Sequence, residues 1–212
     1  HCLAMLLGLF NNITKANTEL KNGLFLREEN RGQELDGKVV GIIGYGHTGQ
    51  AFAKKLCGFD VEILVYDKYK SAQDDFVKNV SLEELKSSCD VISFHVPYKE
   101  ETHHYCNAAF ISDCIKQPVI INTSRGAVVN TTDIIDALEN KKIKGFCVDV
   151  YEDEPVTKNK VHKLQVYQKL LSFENVIATP HIAGWTIESK YKLAKILMDK
   201  IEGLVNILNS ND

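Results

Sequence analysis

Gly44-Tyr45-Gly46-His47-Thr48-Gly49 sets three glycines two and three residues apart, after the apolar run Val39-Val40-Gly41-Ile42-Ile43 and before an amphipathic stretch. Between a strand and a helix, glycines so spaced allow a tight turn, a close backbone approach to a pyrophosphate and close helix–strand packing. Amides at the helix start then face the phosphates. Asp67 ends a second apolar run, eighteen residues after Gly49. An acid there can accept hydrogen bonds from the ribose hydroxyls of an adenosine. It also repels a 2′-phosphate, which favours NAD over NADP; Lys68 and Lys70 beside it soften that preference. A turn built for packing alone would use the same glycines and leave Asp67 a surface acid.

Further polar groups follow the later apolar runs: His95-Val96-Pro97, Asn122-Thr123-Ser124-Arg125-Gly126, Asp149-Val150-Tyr151-Glu152-Asp153-Glu154-Pro155 and Thr179-Pro180-His181. Arg125 could bind a carboxylate in bidentate fashion and polarise a neighbouring carbonyl. His181 could exchange a proton with a hydroxyl, and a carboxylate against its far nitrogen would orient the ring and raise its pKa. Singly, each has a plainer explanation. A loop histidine is usually solvated, His95 before a proline could be a satisfied buried group, and the acids at 152–154 would normally face water. His103 and His104 receive no role. Jointly, on one edge with the glycine turn, they form a set suited to hydride transfer. No residue is assigned to a metal.

The elements that must hold these groups are short β-branched runs alternating with helical stretches, the pattern of a doubly wound parallel α/β sheet of Rossmann type. Strands are predicted at 39–43, 61–66, 91–96, 119–122, 145–150 and 176–179. Their near-continuous apolarity suits burial on both faces. Ser81-Leu82-Glu83-Glu84 reads as a capping box, and Thr132-Asp133 as another helix start. In doubly wound sheets ligands sit beyond the carboxyl ends of the strands, where the polar groups collect. The polar stretch 11–32 reads as a loop or arm. A final helix carries one apolar stripe through Ile187, Tyr191, Ala194, Leu197, Ile201, Leu204 and Leu208.

The chain has 212 residues, 44% of them hydrophobic, enough for one domain with an appendage. A net charge of −3 gives no basic footprint for nucleic acid, so an anionic ligand must be held by local groups. Six cysteines without a CxxC pair read as buried, reduced thiols, which points to the cytoplasm. The opening His1-Cys2-Leu3-Ala4-Met5-Leu6-Leu7-Gly8-Leu9-Phe10 lacks the basic segment and cleavage site of a signal peptide and is too short to span a bilayer, so no membrane association is expected. It reads as a buried helix entered in mid-course, with further sequence expected upstream.

GYGHTG, the Asp67 strand end, HVP, NTSRGAVVN, DVYEDEP and TPHIAGWT, spread in order over 44–186, together resemble the NAD-binding domain of the D-isomer-specific 2-hydroxyacid dehydrogenases. That family includes phosphoglycerate, glycerate, D-lactate and formate dehydrogenases. The resemblance implies a catalytic triad of Arg125, Glu154 and His181. It implies that His47 and Thr48 line the phosphates along with Gly44, Gly46 and Gly49, and that Asp67 takes the ribose. Thr123 and Ser124 lie along the cofactor, Asp149 contacts its nicotinamide end, and Ala183 and Gly184 flank the site. His95, Val96 and Pro97 are counted with the cofactor-binding set, as are Arg125 and His181.

It further implies three segments: a linking helix and dimer arm at 1–33, the NAD-binding domain at 34–186, and a C-terminal return helix at 187–212. The N-terminal substrate domain is expected to be missing from the sequence, and a homodimer is expected. The implied reaction is NAD-dependent interconversion of a D-2-hydroxy acid and its 2-oxo acid, with 3-phosphoglycerate the leading substrate and formate, glycerate or D-lactate as alternatives. An NAD-sensing, corepressor-like regulator is the rival from another class.

Overall fold

The computed structural model describes residues 1–152 and 165–209. Seven strands, β1 (Val39–Ile43), β2 (Glu62–Tyr66), β3 (Lys78–Asn79), β4 (Val91–Phe94), β5 (Val119–Asn122), β6 (Gly145–Val148) and β7 (Val176–Ala178), form one parallel sheet of order β3-β2-β1-β4-β5-β6-β7. The chain enters at β1, runs outward through β2 and β3, then crosses back to β4. The strand order therefore reverses between β1 and β4, which opens a crevice at their carboxyl ends.

Alternate side chains of these runs go to opposite faces, which is why the runs are apolar throughout. Ile43, Leu64, Ile92, Phe94, Ile120 and Phe146 pack on one face with Leu85 of α4 (Leu82–Ser88), Phe110 and Ile111 of α5 (Ala108–Ser112), Ile134 and Leu138 of α6 (Thr131–Glu139), and Leu170 of α7 (Gln165–Leu171). Val40, Ile42, Ile63, Val65, Val119 and Ile121 pack on the other with Met5, Leu6 and Phe10 of α1 (Cys2–Phe10) and Phe52, Ala53 and Leu56 of α3 (His47–Leu56). Each such fully buried Leu or Ile contributes roughly 1.5–3 kcal/mol. The opening apolar segment is thus a helix packed on the sheet.

Ser81 caps α4 as expected, its Oγ accepting from the Glu84 N–H at 3.1 Å. α6 starts earlier than predicted: Asn130 is its cap, accepting from the Asp133 N–H at 3.1 Å. The strands predicted to reach 96, 150 and 179 end at Phe94, Val148 and Ala178. One more rung persists beyond each (His95 N–H to Ile43 O at 2.8 Å, Asp149 N–H to Asn122 O at 3.1 Å, Thr179 N–H to Val148 O at 2.9 Å) before the chain turns off the sheet.

Two predictions are corrected. The stretch read as a loop contains α2 (Ile13–Lys21), a mostly polar helix with no fully buried residue, whose few apolar positions, Ile13, Ala16 and Leu20, are sparse among polar neighbours. The edge strand β3 is two exposed polar residues and was not foreseen. The last helix, α8 (Ile187–Asn209), forms as predicted, yet its stripe is exposed from Ile187 to Leu204, with Tyr191 at 72% and Leu204 at 62%. All six cysteines are free; Cys89, Cys106, Cys114 and Cys147 are buried as expected, whereas Cys2 is half-buried and Cys57 exposed. No helix among the described residues is long and apolar enough to cross a membrane.

Candidate active site

Strand register brings the predicted groups to one edge. Tyr66, Ile43, Phe94, Asn122, Val148 and Ala178 are successive partners across the sheet. The residues that follow them, Asp67, Gly44, His95, Thr123, Asp149 and Thr179, therefore stand in one row along the carboxyl edge.

At the crevice the three glycines have different jobs. Gly44 has φ +92°, and a Cβ there would lie 2.7 Å from the His95 carbonyl oxygen. A Cβ on Gly49 would lie 2.2 Å from the Gly44 carbonyl oxygen. Gly46, which caps α3, would place a Cβ in open space with nothing within 4 Å. The first and third glycines are closed off by backbone, and the second faces the space a ligand would fill. His47 and Thr48 are exposed in the first turn of α3.

Asp67 Oδ2 accepts from the Tyr45 N–H at 2.7 Å, and Oδ1 from the Tyr69 and Lys70 N–H groups at 2.9 and 3.2 Å. Burial pulls its carboxyl pKa up, but these backbone donors and the Lys70 charge outweigh that and hold it below the usual carboxylate value. The Tyr45 side chain is buried, and its hydroxyl donates to Asp74 at 2.7 Å. Gly44, Gly46, Asp67, His95, Val96 and Pro97 all line one mostly apolar cavity of about 260 Å³, together with Tyr69, Glu101 and Tyr105. An anion-binding helix start, a ribose acceptor and an apolar slot for a flat ring together fit an adenine dinucleotide. His95 contributes its backbone here. Its ring packs on Phe52 at 5.5 Å, its Nε2 sits 2.9 Å from Ser93 Oγ, and burial pushes its pKa down to about 4.

A second cleft, of about 550 Å³, is lined by Arg125 with Pro97, Tyr98, Tyr151 and Glu152. The buried Asn122 shapes the turn that presents the guanidinium. Its Oδ1 accepts from the Ser124 N–H and hydroxyl at 3.1 and 2.9 Å, and its amide donates to the Arg125 carbonyl at 3.0 Å. Gly126 lies against backbone, since a Cβ would stand 2.0 Å from the Tyr151 carbonyl carbon. Arg125 itself is exposed and donates to the Ser124 carbonyl at 2.6 Å. Thr123 Oγ1 lies 3.1 Å from Cys2 Sγ, so α1 reaches the site.

Asp149 is fully buried and ties the β6 end to the loop carrying His181. It accepts from the Thr179 hydroxyl at 2.5 Å and from the Ile182 and Ala183 N–H groups at 2.9 and 2.8 Å. Tyr151 adds a bond from its hydroxyl to the Thr179 carbonyl at 3.0 Å. His181 is exposed, with a left-handed φ of 55°, and Gly184 is exposed beyond it. Glu154 lies outside the described residues.

Two features carried no sequence signal. Glu152 bridges the Thr131 N–H at 2.7 Å and His104 Nε2 at 2.6 Å, giving a role to a histidine that had none. Burial pulls its carboxyl pKa up, but these partners hold it below the usual value. Glu101 lines the first cavity and takes Lys68 and the Tyr69 hydroxyl as partners. Glu101 stands in no motif and Glu152 is only an unassigned acid within DVYEDEP, and the hydrogen-bond partners of their carboxylates lie 21 to 48 residues away in the chain.

Comparison with known proteins fits this geometry. Residues 3–183 match the family described as D-isomer specific 2-hydroxyacid dehydrogenase, NAD binding domain. Hydroxypyruvate reductase of Thermotoga maritima is 34% identical over 94% of the chain and 63% of its own length. D-3-phosphoglycerate dehydrogenase of Haemophilus influenzae is 36% identical over 89% of the chain and 45% of its own length. The chain thus spans about half to two-thirds of the curated relatives it matches. The crystal structure of Aquifex aeolicus D-lactate dehydrogenase, complexed with NAD and lactic acid, superposes with a TM-score of 0.86 at 32% identity, over 97% of this chain and 65% of that one. With the family match spanning the sheet that carries the glycine turn and the edge loops, the chain belongs to the D-isomer specific 2-hydroxyacid dehydrogenases, as their NAD-binding domain, and its cofactor is NAD.

Proposed function

We propose that the protein is an NAD-dependent oxidoreductase that interconverts a D-2-hydroxy acid and its 2-oxo acid. The observation that carries this reading is the row of strand ends, which sets the loops of Arg125 and His181 on the same edge as the glycine turn. When bound, NAD supplies the hydride acceptor, and reduced it supplies the donor. Gly46 with the first turn of α3 receives the pyrophosphate, Asp67 the adenosine ribose, and Thr123, Ser124 and the loop held by Asp149 flank the nicotinamide half. Arg125, held out into the second cleft, pairs with the substrate carboxylate and polarises C2–O. His181 takes the hydroxyl proton in oxidation and returns it in reduction. Glu154 holds the imidazole in the required tautomer and stabilises its cation.

Among substrates, 3-phosphoglycerate is placed first, supported by the identity with the Haemophilus influenzae phosphoglycerate dehydrogenase, ahead of glycerate, D-lactate and formate. A homodimer is proposed through the arm, whose Leu20, Leu24 and Phe25 are exposed. The six free thiols support a reducing compartment such as the cytoplasm.

The test is NADH oxidation by the full-length protein with phosphohydroxypyruvate, hydroxypyruvate, glyoxylate and pyruvate. Turnover with any of them is expected, fastest with the first. His181→Ala should keep NADH binding and lose most turnover. Absence of turnover with every acid, in a protein that binds NADH, would sink the enzymatic reading in favour of a sensor.

A further inference from the structure

Glu101 lies in the 3-10 turn Glu100–Thr102 and lines the first cavity together with Asp67. That turn is braced: Thr102 Oγ1 accepts from the Lys99 N–H at 2.8 Å and donates to the Pro97 carbonyl at 2.8 Å. Lys68 Nζ and the Tyr69 hydroxyl both donate to the Glu101 carboxylate, and Lys99 Nζ stands 3.8 Å from it. Lys99 also lies over the Tyr69 ring, 5.1 Å from its centre. The charged groups lining the cavity are therefore the acids Asp67 and Glu101 and the lysines Lys68, Lys70 and Lys99.

Sequence alone places Lys68 beside Asp67, where an ammonium could receive a ribose 2′-phosphate. In the folded protein that ammonium is paired with Glu101. We propose that Glu101 is a second determinant of cofactor choice, holding Lys68 away from the ribose and adding negative charge where a 2′-phosphate would lie. Discrimination is a difference of two affinities, and a repulsive element contributes to it as much as an attractive one. The proposal rests on the reading of Asp67 as the ribose acceptor. It is independent of the substrate.

The experiment is titration of the chain with NADH and with NADPH, followed by nicotinamide fluorescence. E101Q should raise NADPH affinity relative to NADH on the order of tenfold, the effect of removing one nearby charge and releasing another at the protein surface. The gain should shrink in E101Q/K68Q, which lacks the released ammonium. Equal change in both affinities in E101Q would overturn the proposal by making Glu101 a plain wall of the pocket, and so would a gain undiminished by loss of Lys68. D67N separates the two readings. An unchanged NADPH-to-NADH ratio there refutes the ribose assignment of Asp67. A shifted ratio in D67N with none in E101Q refutes the Glu101 proposal alone.

Discussion

Gly46→Ala and Gly49→Ala are both one-methyl changes in one turn, and the structure assigns them opposite consequences. The Cβ added at Gly49 would stand 2.2 Å from the Gly44 carbonyl oxygen, more than 1 Å inside ordinary contact, and Gly44 is itself wedged against the His95 carbonyl. Neither neighbour is a flexible side chain, so α3 or the turn must shift. Overpacking of this kind costs about 1–3 kcal/mol, partly offset by the roughly 1 kcal/mol that alanine gains over glycine inside a helix. For a domain of this size that lowers Tm by up to about 8 °C. At Gly46 the added methyl meets nothing, and the backbone is extended at φ −77° and ψ −167°, which alanine adopts without strain. The small loss at a helix cap and the small gain from a stiffer unfolded chain nearly cancel. The methyl does occupy the approach of the pyrophosphate. Losing one charge-assisted bond there, about 1.5–3 kcal/mol, weakens NADH roughly 10- to 150-fold. Thermal unfolding without ligand and NADH fluorescence titration, run on both variants, give the four numbers needed. A Gly46→Ala protein that melts early yet binds NADH normally, or a Gly49→Ala protein as stable as the parent, would refute the division of labour among the glycines.

Asp149→Asn keeps one carbonyl oxygen but sets an amide against either the Thr179 hydroxyl and Ile182 N–H or the Ala183 N–H; leaving a buried donor unmet should cost about 1–3 kcal/mol. Urea denaturation measures the cost, and hydrogen exchange should quicken at Ile182 and Ala183; unchanged protection there would mean that Asp149 does not hold the loop. His95→Gln tests a titration. The folded pKa of about 4 lies below the ordinary 6.5, so the unfolded chain binds the extra proton between those values and the parent loses stability as pH falls from 6.5 towards 4. The loss amounts to about 3 kcal/mol at most, and the parent-minus-variant difference in urea stability should be flat above pH 7 and slope only in that window.

Where the apolar pattern was periodic, the fold was legible. Val39–Ile43 and Val119–Asn122 could be bounded in advance because β-branched runs end in turn residues. The polar α2 was not, since its few apolar residues stand in a stretch otherwise indistinguishable from a polar loop. The overrun at Val96, Val150 and Thr179 has another cause. Val96 and Val150 continue the apolar runs past the sheet because they line the two cavities, while the Thr179 hydroxyl turns to Asp149, so hydrophobicity marked burial without saying against what.

Sequence by itself determined the parts: a turn that needs glycine at 44 and 49, an acid placed for a ribose, and an arginine and a histidine each following a strand. These depend on backbone sterics and on local order along the chain, which survive without a fold. Only the tertiary structure decided who meets whom. Asp67 takes the Tyr45 amide 22 residues away, Lys68 turns to Glu101 across 33, and Glu152 joins His104 across 48. Charges so distant in sequence become neighbours only when the parallel register aligns the strand ends, and no one-dimensional pattern encodes that distance.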